Sequence, residues 1–477
     1  MGNQIKVKES KYGNFLKKKN WYYYKQLKDF YKINIPVDKK VLGFGCITAE
    51  ILSSIQPSYG VGLDIGEEMV KLAQNKFPGL NFMLYPAEEP IAIQEKFEYI
   101  IMCNFLDRSS DVWRAFKNLD NLTEENSRII ITVVNPFWDS IFRILEKIKL
   151  KTPEIPYNFL FRADIANLLK IFSYNIEREG LFLLLPIYIP FFSALINRYL
   201  SRLPLLNNLC LMQYIIAKKI KRQLNNRELS CSVVVPCFNE AENVAECLRR
   251  IPKMGKFTEV IFVDDGSTDA TVGVVKDLMS KDPRARLISY PENKGKAHAI
   301  KAGFEAARGD ALMILDADMT VMPEDLENFF WAISIPGVDF VNGTRMVYPM
   351  ENEAMRGLNL LGNKIFSLLF TWLLGQRITD TLCGTKVILR ETHRKINMTS
   401  FDRWGDFDLL LEAAKLRLRI VEMPVRYKRR LKGESKMRPF KNGFKLLLRF
   451  FIGFKELKLA KSTNNFQKVN LKNLRAF

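Results

Sequence analysis

Histidine is almost missing. The 477 residues contain only His298 and His393, too few for a histidine metal cluster or an ordinary Ser-His-Asp triad. The seven cysteines, Cys46, Cys103, Cys210, Cys231, Cys237, Cys247 and Cys383, include no C-x-x-C pair. That dispersal excludes a disulfide framework and a cysteine zinc site, and it fits reduced thiols in a cytoplasm. Chemistry is left to carboxylates, backbone and bound ions. Met1 to Lys40 is lysine-rich and lacks the apolar core of a secretory signal. Long apolar runs are lacking too. The longest uncharged one, Leu181 to Ile196, falls short of the ~18–20 residues that span a bilayer, and Pro186 and Pro190 interrupt it. It reads as core or a buried loop of a first domain, with contact to a membrane as the alternative. No fixed-period repeat or low-complexity tract occurs.

What is present describes a folded chain of two or three domains: 48% hydrophobic and 26% charged residues over this length support separate cores. The net charge of +20 is unevenly placed. From Arg426 to Phe477 sixteen Lys and Arg stand against Glu434 and Glu456 alone, a local charge of +14. A polyanionic surface is therefore met mainly by the C-terminus. The polar stretch Lys219 to Glu228 has no apolar periodicity and separates two blocks that each begin afresh with a strand, a loop and a helix. The fold class is α/β in two domains: residues 1–222, a linker at 223–229, a second domain at 230–439, and a basic amphipathic segment at 440–477.

The first block runs from strand Lys40–Phe44 through a glycine turn and a helix to a second strand ending Gly62-Leu63-Asp64, with further strands near Phe97–Met102 and Arg128–Val133. A doubly wound sheet holds an adenosine in this way, with the acid on the ribose. The order resembles the class I S-adenosylmethionine-dependent methyltransferases over roughly residues 35–220. The resemblance implies a Rossmann-like domain with Gly45 and Asp64 in the S-adenosylmethionine site. The cofactor loop departs from the family pattern. Gly43 stands for the acid, Ile47 and Ala49 replace glycines, and Pro86 stands where an adenine-facing Asp is common. Glycine admits close approach of backbone to ligand and β-branched Ile47 does not, so a degenerate domain that binds the cofactor poorly is expected.

The second block is more explicit. Three apolar runs end at once in polar groups: Ser232–Val235 in Pro236-Cys237-Phe238-Asn239-Glu240, Val260–Val263 in Asp264-Asp265-Gly266-Ser267-Thr268-Asp269, and Leu312–Leu315 in Asp316-Ala317-Asp318. Parallel strands bring such ends together, where open α/β sheets bind ligands. An Asp-x-Asp there can present oxygens to a divalent cation bridging a nucleotide diphosphate. With Asn293-x-Gly295-Lys296 and Gly343-Thr344-Arg345, these motifs resemble the family 2 glycosyltransferases of GT-A fold. Asp380-x-x-Cys383-Gly384-x-Lys386 and Arg430-x-x-Gly433-Glu434-Ser435-Lys436 narrow the resemblance to the dolichol or polyprenyl-phosphate mannose or glucose synthase branch.

The resemblance implies that Pro236, Glu240 and Asp265 face the nucleoside and that Lys296 and Arg345 line the donor site. It further implies that Asp316 and Asp318 hold Mg²⁺ or Mn²⁺, and that Arg430, Ser435 and Lys436 clamp phosphates. Asp380, Lys386, Asp406 and Asp408 are candidates for the acceptor side. Thr320 stands where the family often has Gln. Phe440, Phe444, Leu447, Leu448 and Phe451 recur at helical spacing beside Lys441, Lys445 and Arg449, as in a helix lying on an anionic membrane. Leu360–Leu374 is a second apolar candidate for that surface.

The expected protein is an inverting glycosyltransferase using a nucleotide sugar and a polyprenyl phosphate, peripheral on the cytoplasmic face of a membrane and independent of nucleic acid. The alternatives are a bifunctional methyltransferase/glycosyltransferase and a basic scaffold binding membrane or nucleic acid. Acidic strand ends speak against the scaffold, since without a metal they repel phosphates.

Overall fold

The computed structural model describes residues 20–45, 48–85, 93–148, 158–221, 226–348, 357–396, 406–428, 447–448, 450–455 and 458. The chain divides into two compact units, Met1–Arg227 with Arg345–Pro349 and Pro424–Arg426, and Glu228–Thr344 with Met350–Met423 and Tyr427–Phe477. Among the described residues no helix is long and apolar enough to cross a membrane. Six cysteines are described, all buried and none in a disulfide.

The first unit is built on β1 (Lys40–Phe44), β2 (Tyr59–Asp64), β3 (Asn81–Leu84), β4 (Phe97–Cys103), β5 (Thr123–Val134), β6 (Tyr174–Phe182) and β7 (Met212–Lys219). Their order is β3-β2-β1-β4-β5-β7-β6, parallel except for β7, which runs antiparallel to both neighbours. The apolar runs of β1 and β4 are buried because a parallel sheet is covered on both faces. Helices Trp21–Asn34 and Thr48–Ile55 supply Leu27, Tyr31, Ile51 and Leu52 to a core with Val41, Ile101 and Ile130. Gly45 follows β1 at φ +90°. Cys46, Ile47 and Pro86 lie outside the described residues.

Leu181–Ile196 departs from the burial expected of it. Leu183 is buried, but Ile187, Tyr188, Ile189, Phe191, Phe192 and Leu195 are exposed. Apolar composition says nothing of orientation, and here small polar side chains take the inner positions.

The second unit carries β8 (Cys231–Cys237), β9 (Thr258–Asp265), β10 (Ala285–Tyr290), β11 (Ala311–Ile314), β12 (Phe340–Thr344), β13 (Lys386–Leu389) and β14 (Ile420–Pro424). The order is β10-β9-β8-β11-β13-β12-β14, with β8 to β11 parallel and β13 antiparallel to β11 and β12. β9 and β11 are buried along their whole length. Helices Lys296–Ala306 and Asp406–Lys415 pack Ala299, Ile300, Phe304, Leu409, Leu410 and Ala413 against Val234, Ile261, Leu312 and Ile388.

Near the C-terminus, Phe450 and Phe454 pack with Phe370, Leu373 and Leu411, while Leu447, Leu448 and Phe451 are exposed. The helical stripe therefore divides. Phe450 and Phe454 join a cluster of the unit, and of the face singled out in the sequence Leu447, Leu448 and Phe451 point to solvent. Phe440, Phe444, Lys441, Lys445 and Arg449 lie outside the described residues.

Candidate active site

Register assembles the site. Cys237 pairs with Asp264 across β8 and β9, and Ile314 of β11 pairs with Val234. Pro236, Asp264, Asp265 and the loop after Leu315 therefore emerge at one end of the sheet. The two loops from β8 and β9 clasp each other. The Asn239 amide donates to Ser267 Oγ and the Thr268 amide donates to Asn239 Oδ1, both at 2.9 Å. The Glu240 amide donates to Thr271 Oγ1, and its Oε2 accepts from Asn243 Nδ2 at 2.7 Å.

Asp265 engages both oxygens on one loop. Oδ1 accepts from the Lys294 amide and Oδ2 from the Gly295 amide, each at 2.8 Å. This fixes the entry of helix Lys296–Ala306 and so the root of Lys296. The Lys296 ammonium lies 2.6 Å from Asp316 Oδ1.

Two glycines bring later motifs into the same place by close approach. A Cβ at Gly384 would stand 2.3 Å from Asp316 Oδ2 and 2.9 Å from Lys296 Nζ. A Cβ at Gly343 would stand 2.6 Å from Cys383 Sγ, and the Gly343 amide donates to the Thr385 carbonyl. A side chain at Gly384 would displace the Asp316 carboxylate and the Lys296 ammonium from each other's reach, and one at Gly343 would press on Cys383 and the Thr385 carbonyl.

Asp318 is buried, and its Oδ1 accepts from the Thr320 amide (3.1 Å) and hydroxyl (2.9 Å). Thr320 thus holds a carboxylate in place. The same loop receives the strand-like end of a distant segment: Val321 bridges Tyr427, and the Lys428 amide donates to the Thr320 carbonyl at 2.9 Å. Nearby Cys247 stays a neutral thiol, pushed up to about 12 by burial first and then by the charge of Asp318.

Sequence reasoning missed Glu422. From β14 its carboxylate accepts from the Thr379 amide (2.8 Å), the Thr379 hydroxyl (2.8 Å) and the Asp380 amide (3.3 Å), while Asn342 Nδ2 donates to the Asp380 carbonyl. It braces the turn leading into Gly384. The only signal was one acid inside the apolar run Ile420–Pro424. Glu422→Ala leaves buried amides unpaired and is expected to cost about 2 kcal/mol in urea unfolding, whereas Glu422→Gln keeps an acceptor and costs less.

The remaining candidates fall as follows. Asp380 is fully buried, and Lys386 is buried in β13, its ammonium donating to the Cys383 carbonyl. Arg345 is buried just after β12, in the segment grouped with the first unit. Asp406 opens helix Asp406–Lys415 with Asp408 in its first turn, but their side chains lie outside the described residues. Arg430, Ser435 and Lys436 lie outside them entirely. In the first unit Asp64 Oδ1 accepts from the Gly66 amide at 2.8 Å, and the Gly45 amide donates to the Leu63 carbonyl.

Residues 232–396 match the model of Glycosyl transferase family 2. Over 234 residues the chain is 30% identical to dolichyl-phosphate beta-glucosyltransferase of Dictyostelium discoideum, covering 45% of this chain and 71% of that protein. The chain belongs to glycosyl transferase family 2. This glycosyltransferase is also 30% identical over 214 residues to polyprenol monophosphomannose synthase of Mycolicibacterium smegmatis, covering 43% of its own chain and 80% of that one. Among solved structures it is similar to an S-adenosylmethionine dependent methyltransferase from Mesorhizobium loti. The TM-score is 0.31 at 15% identity, over 40% of the glycosyltransferase and 96% of that chain. The family match lies in its second unit, on the sheet of order β10-β9-β8-β11-β13-β12-β14, while the first unit carries a separate sheet of its own.

Proposed function

We propose that the protein is an inverting glycosyltransferase that moves one sugar from a nucleotide sugar to a polyprenyl phosphate at a membrane surface. The observation that carries this reading is the convergence of Lys296, Asp316, Asp318 and Gly384 at one sheet end, with Tyr427–Lys428, just ahead of Arg430, tied to the same loop. The names of the relatives, a dolichyl-phosphate glucosyltransferase and a polyprenol mannose synthase, support the acceptor class.

The donor set fits Mg²⁺ or Mn²⁺: Asp316 and Asp318 offer hard oxygens within one short loop. An ion held by two carboxylates would take its other ligands from water and substrate phosphates. Bound there, the ion neutralises a leaving diphosphate. Lys296 adds a cation beside the same phosphates. Arg430 and Lys436 hold the acceptor phosphate, with Ser435 donating a hydrogen bond. Because a phosphate oxygen is already anionic, no side chain has to act as a strong base.

The membrane face of this unit is helix Gly357–Leu374 with the helical residues near 447–454, where Ile365, Leu368, Trp372, Leu448, Phe451 and Ile452 are exposed and the Lys458 ammonium lies 5.6 Å from the Trp372 ring. Purified protein, several nucleotide sugars and a short polyprenyl phosphate, read by mass spectrometry of the product, test the reading. A methylated product or no glycosyl lipid rejects it.

The first unit is proposed not to use S-adenosylmethionine. Asp64 is engaged on its own turn, and the acid and two glycines of the cofactor loop are replaced by Gly43, Ile47 and Ala49. Calorimetry is expected to show no micromolar binding. Micromolar binding lost in Asp64→Ala revives the bifunctional alternative.

A further inference from the structure

Residues 183–211 join β6 to β7 in the first unit and carry the short helix Phe192–Arg198, the turn Leu200–Arg202 and the helix Pro204–Asn207. Their polarity is inverted. Buried Ser193 donates to the Ile187 carbonyl and accepts from the Ile189 amide, both at 2.7 Å. The Asn197 side chain closes onto both backbone groups of Leu185 and onto Tyr22 Oη. Buried Ser201 donates to the Asn197 carbonyl, and Asn207 donates to the Ser201 carbonyl. Ser193 and Ser201 turn inward while several large apolar side chains face out: Phe191 is 92% exposed and Leu205 85%. Ile187, Phe192, Leu195 and Leu203 are exposed as well, and Trp21 packs at a tilt against exposed Tyr188 with ring centroids 5.0 Å apart.

Phe191 sits at φ +64°, a strained backbone for a bulky residue. Strain of this kind, about 1–3 kcal/mol, persists only where the surrounding bonds over-determine the backbone, and it clusters at functional positions. Charge narrows the partner. From Gly180 to Arg227 there is no acid, and within the segment the only ionic groups are exposed Arg198 and Arg202. The +14 C-terminal tail of this chain is repelled by such a face, and a second copy would bring four guanidiniums together without a counter-ion. An anionic lipid surface satisfies both features: an acyl boundary for the apolar side chains, phosphates for the two arginines, and a headgroup layer for Trp21, Tyr188 and Tyr199.

We propose that the β6–β7 segment is a membrane-docking surface of the first unit, seating Phe191, Phe192, Leu203 and Leu205 in the boundary layer of an anionic bilayer with Arg198 and Arg202 on its phosphates. This goes beyond the helices of the second unit and does not depend on the acceptor.

The full-length protein is tested on phosphatidylcholine vesicles with and without 30 mol% (about a third) phosphatidylglycerol, the anionic range in which basic residues act. Neither polyprenyl phosphate nor nucleotide sugar is added, so binding is read apart from transfer. Phe191→Ser/Leu205→Ser is expected to weaken partitioning about tenfold or more. Arg198→Gln/Arg202→Gln is expected to weaken it on anionic vesicles only. Hydrogen exchange of the unaltered protein, which needs no variant to fold, is expected to slow across 187–205 when anionic vesicles are added. Unchanged exchange there overturns the proposal, as does unchanged partitioning of a folded Phe191→Ser/Leu205→Ser variant. A lipid-free dimer dispersed by that variant overturns it in favour of a second copy.

Discussion

Asp318→Asn is expected to cut sugar transfer about a thousandfold, ~4 kcal/mol of barrier, while leaving the thermal unfolding of the protein unchanged. The asparagine oxygen can still accept from the Thr320 amide and hydroxyl, which keeps the turn, but the negative charge that holds a cation is gone. Asp316→Ala and Asp318→Ala are expected to be silent as well, and so is the unaltered protein in excess chelator. An uncompensated diphosphate is a poor leaving group in a site closed to water. Full turnover with chelator present removes the role given to both carboxylates.

Arg430→Ala and Lys436→Ala are expected to lose about 10–100-fold each in kcat/KM for a polyprenyl phosphate, with acceptor affinity and rate both affected. A charge-assisted bond to phosphate is worth about 1.5–3 kcal/mol. Asp406→Asn and Asp408→Asn are expected to be milder, because a phosphate nucleophile has no proton to give up. Steady-state kinetics of the four variants decides. A dead Asp variant with intact donor binding, beside near-normal Arg and Lys variants, indicates a hydroxyl acceptor served by a carboxylate base.

Much of the second unit was legible because its strands are short apolar runs that stop at acids. β8, β9 and β11 can be drawn from Val233–Val235, Val260–Val263 and Leu312–Ile314 alone, and parallel pairing then gathers their ends. What pairing does not convey is contact at distance. Gly384 against Asp316, and Glu422 beneath Thr379, depend on how segments tens of residues apart pack, and neither leaves a periodic trace. Of the two readings of Leu181–Ile196, core and membrane contact, the first fails for the complementary reason. Burial was inferred from apolar content, but two prolines erase the period that would have told inside from outside. Ser193 and Asn197 went inward in place of Phe191 and Leu195. At the C-terminus the helical stripe was legible, but not which edge of it packs.

The ion pair between Lys296 and Asp316 also bears on the order in which ligands arrive. A divalent cation entering alone meets a carboxylate already neutralised at 2.6 Å, with an ammonium to repel it. A diphosphate entering alone faces two carboxylates. Were the two to enter together, the diphosphate would draw Lys296 off Asp316 and leave that carboxylate to hold the cation, so each would raise the affinity for the other, and by thermodynamic reciprocity by the same factor. Cation affinity titrated with and without nucleoside diphosphate should therefore differ, and replacing Lys296 with methionine should shrink the difference by strengthening the cation's binding on its own.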